Sequence, residues 1–247
     1  MAAVTDAKTN VAATAPARGR RSASFLNPGL ILDAAMAIIE RDGPDGLTFR
    51  RLGISLKADH TAVLRHFGSK DDLLIALAGR LMDVALEGFA PEGEWRETLL
   101  SLARRVRSAA LAHPGVAVLV SARSARRPSV LGAADAAIGA LRQAGLSVQD
   151  AALYYQVLAD TAMAAAAYEA ATLNLDSDAR DGDELAWRRE YLAAPPQRYP
   201  HLASAAPHLA DIDNEREFEA LMGLLLDAVE VRAQRARDAD ANGHDGR

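Results

Sequence analysis

Apolar residues recur at helical spacing along most of this chain, and Gly, Pro, Asn, Asp and Ser interrupt them at intervals. The first stripe is Ile31, Ala35, Ile38 and Ile39. Asn27 suits the N-cap of that helix and Pro28 its first position. Gly43 ends it, and Pro44-Asp45-Gly46 is turn chemistry. Thr48 then caps a predicted short helix over 49–56, and Asp59 caps a third over 60–67. Ser69, with Asp72 in the first turn, opens a fourth helix over 69–87, striped by Leu73, Leu74, Leu77, Leu81 and Val84.

Further on, the spacing predicts helices at about 94–112, 115–123, 127–144, 147–173, 183–193 and 213–236. Pro91, Pro114, Pro128 and Gly145 separate them. The acidic run 176–183 reads as another break, 194–212 as a Pro- and His-containing loop, and 237–247 as a disordered polar tail. Residues 1–24 carry no apolar periodicity and read as a disordered arm. Neither strand-like alternation nor an internal repeat is present, so the fold class is all-α. The organisation expected is an arm (1–24), a small helical head (25–70), a connecting helix (69–87), a helical body (88–236) and a tail (237–247).

Composition narrows this picture. Half of the 247 residues are hydrophobic but only 5% aromatic, so the core must come from Ala, Leu, Val and Ile. The absence of cysteine excludes disulfides, thiolate metal sites and a cysteine nucleophile. No apolar run is long enough for a membrane span and no signal-peptide core precedes the first helix, so the chain reads as soluble and cytoplasmic. The net charge of −5 hides an asymmetry. Residues 48–70 carry Arg50, Arg51, Lys57, Arg65 and Lys70 against Asp59 alone, whereas residues 89–247 hold 17 basic and 23 acidic side chains. A basic head on an acidic body fits a nucleic-acid-binding module attached to a part with another task.

The segment 47–70, LTFRRLGISLKADHTAVLRHFGSK, carries the most chemistry. Two short helices joined by three or four residues make a helix-turn-helix, whose second helix enters the major groove of DNA. Leu52, Leu56, Val63 and Phe67 point back to the first helix. Arg50, His60, Thr61, Arg65 and His66 form the opposite face. Arginine reads guanine bidentately and threonine touches the thymine methyl. Thr48, Lys70 and the amides at Ser69 are placed for phosphates. A solvated amphipathic helix pair without a DNA role is the competing reading of the same pattern.

At these residues the chain resembles the TetR family of transcriptional regulators. The resemblance rests on Asp33-Ala34-Ala35, Gly46-Leu47-Thr48, Arg50, Leu52, Arg65-His66-Phe67-Gly68-Ser69-Lys70 and Leu73-Leu74, and covers about residues 26–80. Leu26-Asn27 and Arg198-Tyr199-Pro200-His201-Leu202 look like the branch containing the tetracycline repressor. The resemblance implies a homodimer bound to a double-stranded DNA operator and released by a small-molecule effector. It also implies phosphate contacts by Thr48, His66 and Lys70, and base reading by Arg50, His60, Thr61 and Arg65. Two positions depart from the family pattern: Leu64 replaces a DNA-contacting Tyr, and Lys57 replaces the turn Gly. Lys57 adds a charge able to substitute for the lost contact. Arg18, Arg20 and Arg21 offer a candidate minor-groove arm, against a plain solubilising leader.

In the body, small residues at Ala159, Ala162, Ala166 and Ala170 suit close helix packing, and Phe218, Leu221, Leu225 and Val229 form a stripe on the last helix. The resemblance implies that two such helices from each subunit form an intersubunit four-helix bundle; the alternative is that both stripes face only the intrachain core. Candidate ligand-binding residues are Trp95, His113, Tyr155, Gln156, Asp160 and Met163, with Gln156 and Asp160 one turn apart. Arg104 and Arg107 read as a solvated or ion-paired face rather than a carboxylate clamp. No metal-ligand spacing, phosphate loop, dinucleotide fingerprint or nucleophile motif is present, so neither a cofactor nor catalysis is expected. The expected function is a ligand-responsive repressor; the alternative is a ligand-binding relative that has lost operator binding.

Overall fold

The computed structural model describes residues 26–244, apart from the side chains of 183–185, 187 and 239–244. The candidate arm residues Arg18, Arg20 and Arg21 lie outside the described residues. Among those described there is no strand. Eleven α-helices follow one another: α1 Pro28–Asp42, α2 Phe49–Leu56, α3 His60–Leu64, α4 Lys70–Ala85, α5 Trp95–Ala112, α6 Pro114–Val120, α7 Pro128–Ala144, α8 Val148–Leu173, α9 Ser177–Leu192, α10 Pro200–Leu209 and α11 Asn214–His244. A 3-10 turn at Pro44–Gly46 joins α1 to α2.

Local chemistry sets the helix starts. The Asn27 side chain accepts from the Leu30 amide at 2.9 Å, and Pro28 occupies the first turn. Thr48, Asp59, Ser69 and Ser147 accept in the same way from the amides of Arg51, Thr61, Asp72 and Asp150. Burial of the apolar stripes then orders the elements. α1 to α4 share one core with α6 and the end of α8, in which Ile31, Ile38, Leu52, Val63, Leu73, Leu77, Val116 and Ala170 are sealed from water. A second core joins α5, α7, α8 and α11 around Leu141, Leu146, Met222 and Leu226. The head is therefore fused to α6. Gly115 allows this approach, because a Cβ there would sit 2.9 Å from Cγ2 of Ile39 in α1.

Four expectations need correction. α3 stops at Leu64, so Arg65 and His66 lie in the turn after it, while Phe67 still reaches the core. The acidic run is no break: Asp176 precedes α9 and Asp178 lies in its first turn, where carboxylates complement the helix dipole. The expected loop 194–212 contains α10. Pro200 starts that helix, and Pro207, two residues from its end, costs a single backbone hydrogen bond. Residues 237–244 are not a tail but continue α11. Ala233 is buried and Arg237 donates to the carbonyl of Ala144 at 2.7 Å, so packing against the end of α7 prolongs the helix. No helix among the described residues is long and apolar enough to cross a membrane.

Candidate nucleic-acid interface and cavity

α2 and α3 meet at a tight turn. A Cβ on Gly53 would lie 2.9 Å from the Ala58 carbonyl and 3.1 Å from the His60 amide, so only glycine permits this separation. The one sequence sign of this contact is a glycine inside a two-turn helix. Lys57 closes α2 at φ 52°, the left-handed region, where the resemblance places glycine.

Asp59 organises the start of α3. Its Oδ1 accepts from the Thr61 amide at 2.8 Å and from the Thr61 hydroxyl at 2.7 Å, and lies 3.4 Å from His60 Nδ1. The Thr61 hydroxyl, then its amide, hold the Asp59 carboxyl below its ordinary range, with His60 and Arg65 adding charge. Holding the hydroxyl inward fixes the Thr61 side chain. Arg50, His60, Thr61, Arg65, His66, Lys57 and Lys70 are all exposed, as is Thr48, the α2 cap. Arg51 turns away: it reaches Asp42 at 3.1 Å and the Gly46 carbonyl at 3.4 Å. Arg50 and Arg65 keep their guanidinium groups without a salt bridge among the described residues, available to an incoming anion or base edge.

The body holds a cavity of about 510 Å³ between α4, α5, α6, α7 and α8, with Met222 of α11 at its base. Alanines make it, including Ala103, Ala110, Ala117, Ala134, Ala137 and Ala166, since larger side chains at these helix contacts would fill the space. Tyr155, Gln156, Asp160 and Met163 line it together. Gln156 Nε2 donates to Asp160 Oδ1 at 2.8 Å.

Trp95 and His113 do not line it. Trp95 packs on the second core. His113 links α5 to α6 with its Nδ1 buried, unbonded and 4.0 Å from Glu40 of α1. Arg104 and Arg107 are held by Glu219 and Glu169 in paired bonds of 2.6–2.8 Å and do not face the cavity. No cluster of three or more metal-ligating side chains lies among the described residues.

Cavity and head meet through α4, which contributes Ala78, Leu81 and Met82 to the wall, with Leu86 just after it. The segment between α6 and α7 also lines the cavity and grips α4 twice. Arg123 Nη1 lies 2.6 Å from Asp71, near the start of α4. Arg127 and Ser129 donate to Asp83 at 2.6 Å each. Arg127 lies across Gly79, where a Cβ would meet its Cγ at 2.8 Å. Burial pushes Asp83 up, but the bonds from Ser129 and Arg127 and the nearby cations outweigh it and leave the carboxyl below its usual value.

Residues 31–77 match the family model for bacterial regulatory proteins of the tetR family, and residues 88–233 match the tetracyclin repressor-like C-terminal domain. An HTH-type transcriptional regulator of Saccharopolyspora erythraea is 31% identical over 196 residues, 78% of this chain and 80% of that protein. The tetracycline repressor protein class A from transposon 1721 of Escherichia coli is 33% identical over 128 residues, 51% of this chain and 59% of that one. A crystal structure of a possible TetR family transcriptional regulator from Streptomyces coelicolor A3(2) superposes with a TM-score of 0.69 at 32% identity, covering 83% of this chain and 99% of that one. The basic helix-turn-helix face, the alanine-walled cavity and these matches agree: the chain belongs to the TetR family of ligand-responsive, DNA-binding transcriptional regulators.

Proposed function

We propose that this chain is a cytoplasmic repressor, homodimeric, that leaves a pseudo-palindromic operator when a small hydrophobic or amphipathic molecule fills the 510 Å³ cavity. Base reading is assigned to Arg50, His60, Thr61 and Arg65, and phosphate contact to Thr48, Lys57, His66 and Lys70. One observation carries the DNA reading: Arg50 and Arg65 stay unpaired beside a capped, exposed α3, while neighbouring Arg41 and Arg51 are both spent on Asp42. A merely solvated basic face has no need of that division.

The stripes expected at a seam face inward instead, since Ala162, Ala166, Ala170, Phe218 and Val229 are buried in the chain's own cores. Dimerisation is supported by other apolar positions of the same two helices, which no described residue covers. Leu153, Val157 and Tyr168 lie exposed on α8, and Leu224 and Val231 on α11. Such patches on adjacent helices suit a four-helix seam between two copies. Among structures sharing the fold, ActR has been solved with actinorhodin and BioQ with its double-stranded DNA operator.

The mechanism is differential affinity for two states. A ligand in the cavity presses on the α4 wall and on the α6–α7 segment, and both anchor the base of the head. The population moves to head separations that miss successive major grooves about 34 Å apart. Arg65→Ala tests the reading: it should cost about 1–3 kcal/mol of operator affinity and relax preference at one base position. Gel-shift titration against single-base operator variants measures both, and unchanged affinity with unchanged preference sinks the assigned face.

A further inference from the structure

We propose that the cavity takes an amphipathic cation, with its apolar body against the alanine wall and its ammonium group on Asp160. This rests on reading the cavity as the effector site and names the chemistry of its occupant.

Only two side chains lining the cavity are charged, Arg123 and Asp160. Arg123 is already neutralised, with Nη1 2.6 Å from Asp71. No Lys, Arg or His pairs with Asp160 among the described residues. Its Oδ1 is satisfied by Gln156, which leaves Oδ2 open. The same bond uses one N–H of the Gln156 amide and leaves its carbonyl oxygen as a second acceptor beside the remaining N–H. Ser121, also on the lining, spends its hydroxyl proton on the Val118 carbonyl at 3.0 Å. The polar edge thus offers acceptors beside neutral donors and carries one unbalanced negative charge, that of Asp160.

Apart from the neutral hydroxyls of Ser124 and Tyr155, the rest of the wall is Ala, Leu, Val and Met, which offers dispersion and no hydrogen bonds. A ligand completes this surface by bringing donors and positive charge to one end only. An acid of the same shape would lay its carboxylate beside Asp160 and pay for the repulsion. Asp160 is exposed at the edge of the cavity, so water weakens the attraction, and discrimination of about tenfold is expected rather than thousands.

Three fluorescent probes with one tricyclic body separate the terms: 9-(aminomethyl)anthracene, 9-(hydroxymethyl)anthracene and anthracene-9-carboxylate. Each is titrated into the full-length protein and into Asp160→Asn and Met163→Trp. The native chain should bind the ammonium probe at least about tenfold tighter than the alcohol, with the carboxylate weakest. D160N should abolish that preference while leaving the alcohol's affinity within about twofold. A carboxylate that ranks first, or a preference that survives D160N, overturns the proposal. M163W, at the exposed mouth, should weaken all three. If M163W leaves every affinity unchanged, or no probe binds, the cavity is not an effector site and the function proposed above fails with it. If M163W blocks binding but the rank order is wrong, only the cation assignment falls.

Discussion

At Lys57 the chain turns through φ 52°, where a β-carbon crowds the backbone and glycine is at ease. The cost is of order 1 kcal/mol, and it places a cation beside the start of α3. Lys57→Gly should therefore stabilise the fold by up to about 1 kcal/mol in urea denaturation, less what the more flexible unfolded chain gives back. The same variant should lower the slope of log affinity against log salt by about one phosphate contact. A stabilised variant with an unchanged slope would show that Lys57 makes no phosphate contact. Gly53 makes the opposite case. A Cβ there would sit 2.9 Å from the Ala58 carbonyl oxygen, and backbone does not yield as a side-chain tip would. Gly53→Ala should cost about 1–3 kcal/mol of stability despite alanine's better helix propensity, and should weaken operator binding by re-aiming α3. Thermal melts of the two variants should move in opposite directions.

Between elements, the contact of α4 with the α6–α7 segment is electrostatic and therefore open to acid. Asp83 titrates below its ordinary value in the folded chain, so its contribution is complete above the unfolded carboxylate pKa and is lost as pH falls through the folded one. Lowering the pH through that range should loosen α4 from Arg127 and Ser129. Asp83→Asn should be less stable at neutral pH and should show a flatter acid limb, as followed by unfolding at stepped pH. The contact also shows which parts of the molecule were legible in the sequence. Capped helix starts were readable because capping is local: Asn27, Thr48, Asp59, Ser69 and Ser147 each bond an amide two or three residues on, whereas α9 and α10 start without a side-chain cap bond and were not. Helix ends were less so, because distant packing decides them. Phe67 must reach the core, which ends α3 early, and Arg237 caps the end of α7, which prolongs α11. In the cavity, Tyr155, Gln156, Asp160 and Met163 follow one another along α8 and could be found by periodicity. Nothing local shows that Trp95 and His113 face away, or that Ala78 and Leu81 of the connecting helix form part of the wall. Gly79, inside a helix where glycine costs about 1 kcal/mol, was the available sign that another chain segment crosses there.

For the whole molecule, the proposed dimer makes the placement of its two reading heads depend on what joins the copies. α8 and α11 pack on each other through Leu158, Ala162, Met222 and Leu226, and that side is sealed. Their other faces leave Leu153 59% and Leu224 70% exposed, with Val157 and Val231 on the same stripes. A charge on either stripe costs the monomer little, because these positions already meet water. In a two-copy seam it meets its own symmetry mate or a buried apolar side chain, and cannot be paired. Leu224→Arg and Val157→Glu should each leave the monomer's helical signal and melting transition largely intact while converting dimer to monomer in sedimentation velocity. A monomer offers one head per operator half-site and loses the gain from linked binding, about two orders of magnitude or more in affinity. The double variant re-pairs the charges only if α8 of one copy faces α11 of the other. Recovery of dimer and operator binding in the double variant would fix that crossing. Loss of operator binding by variants that remain dimeric would instead place the defect in the path from body to head.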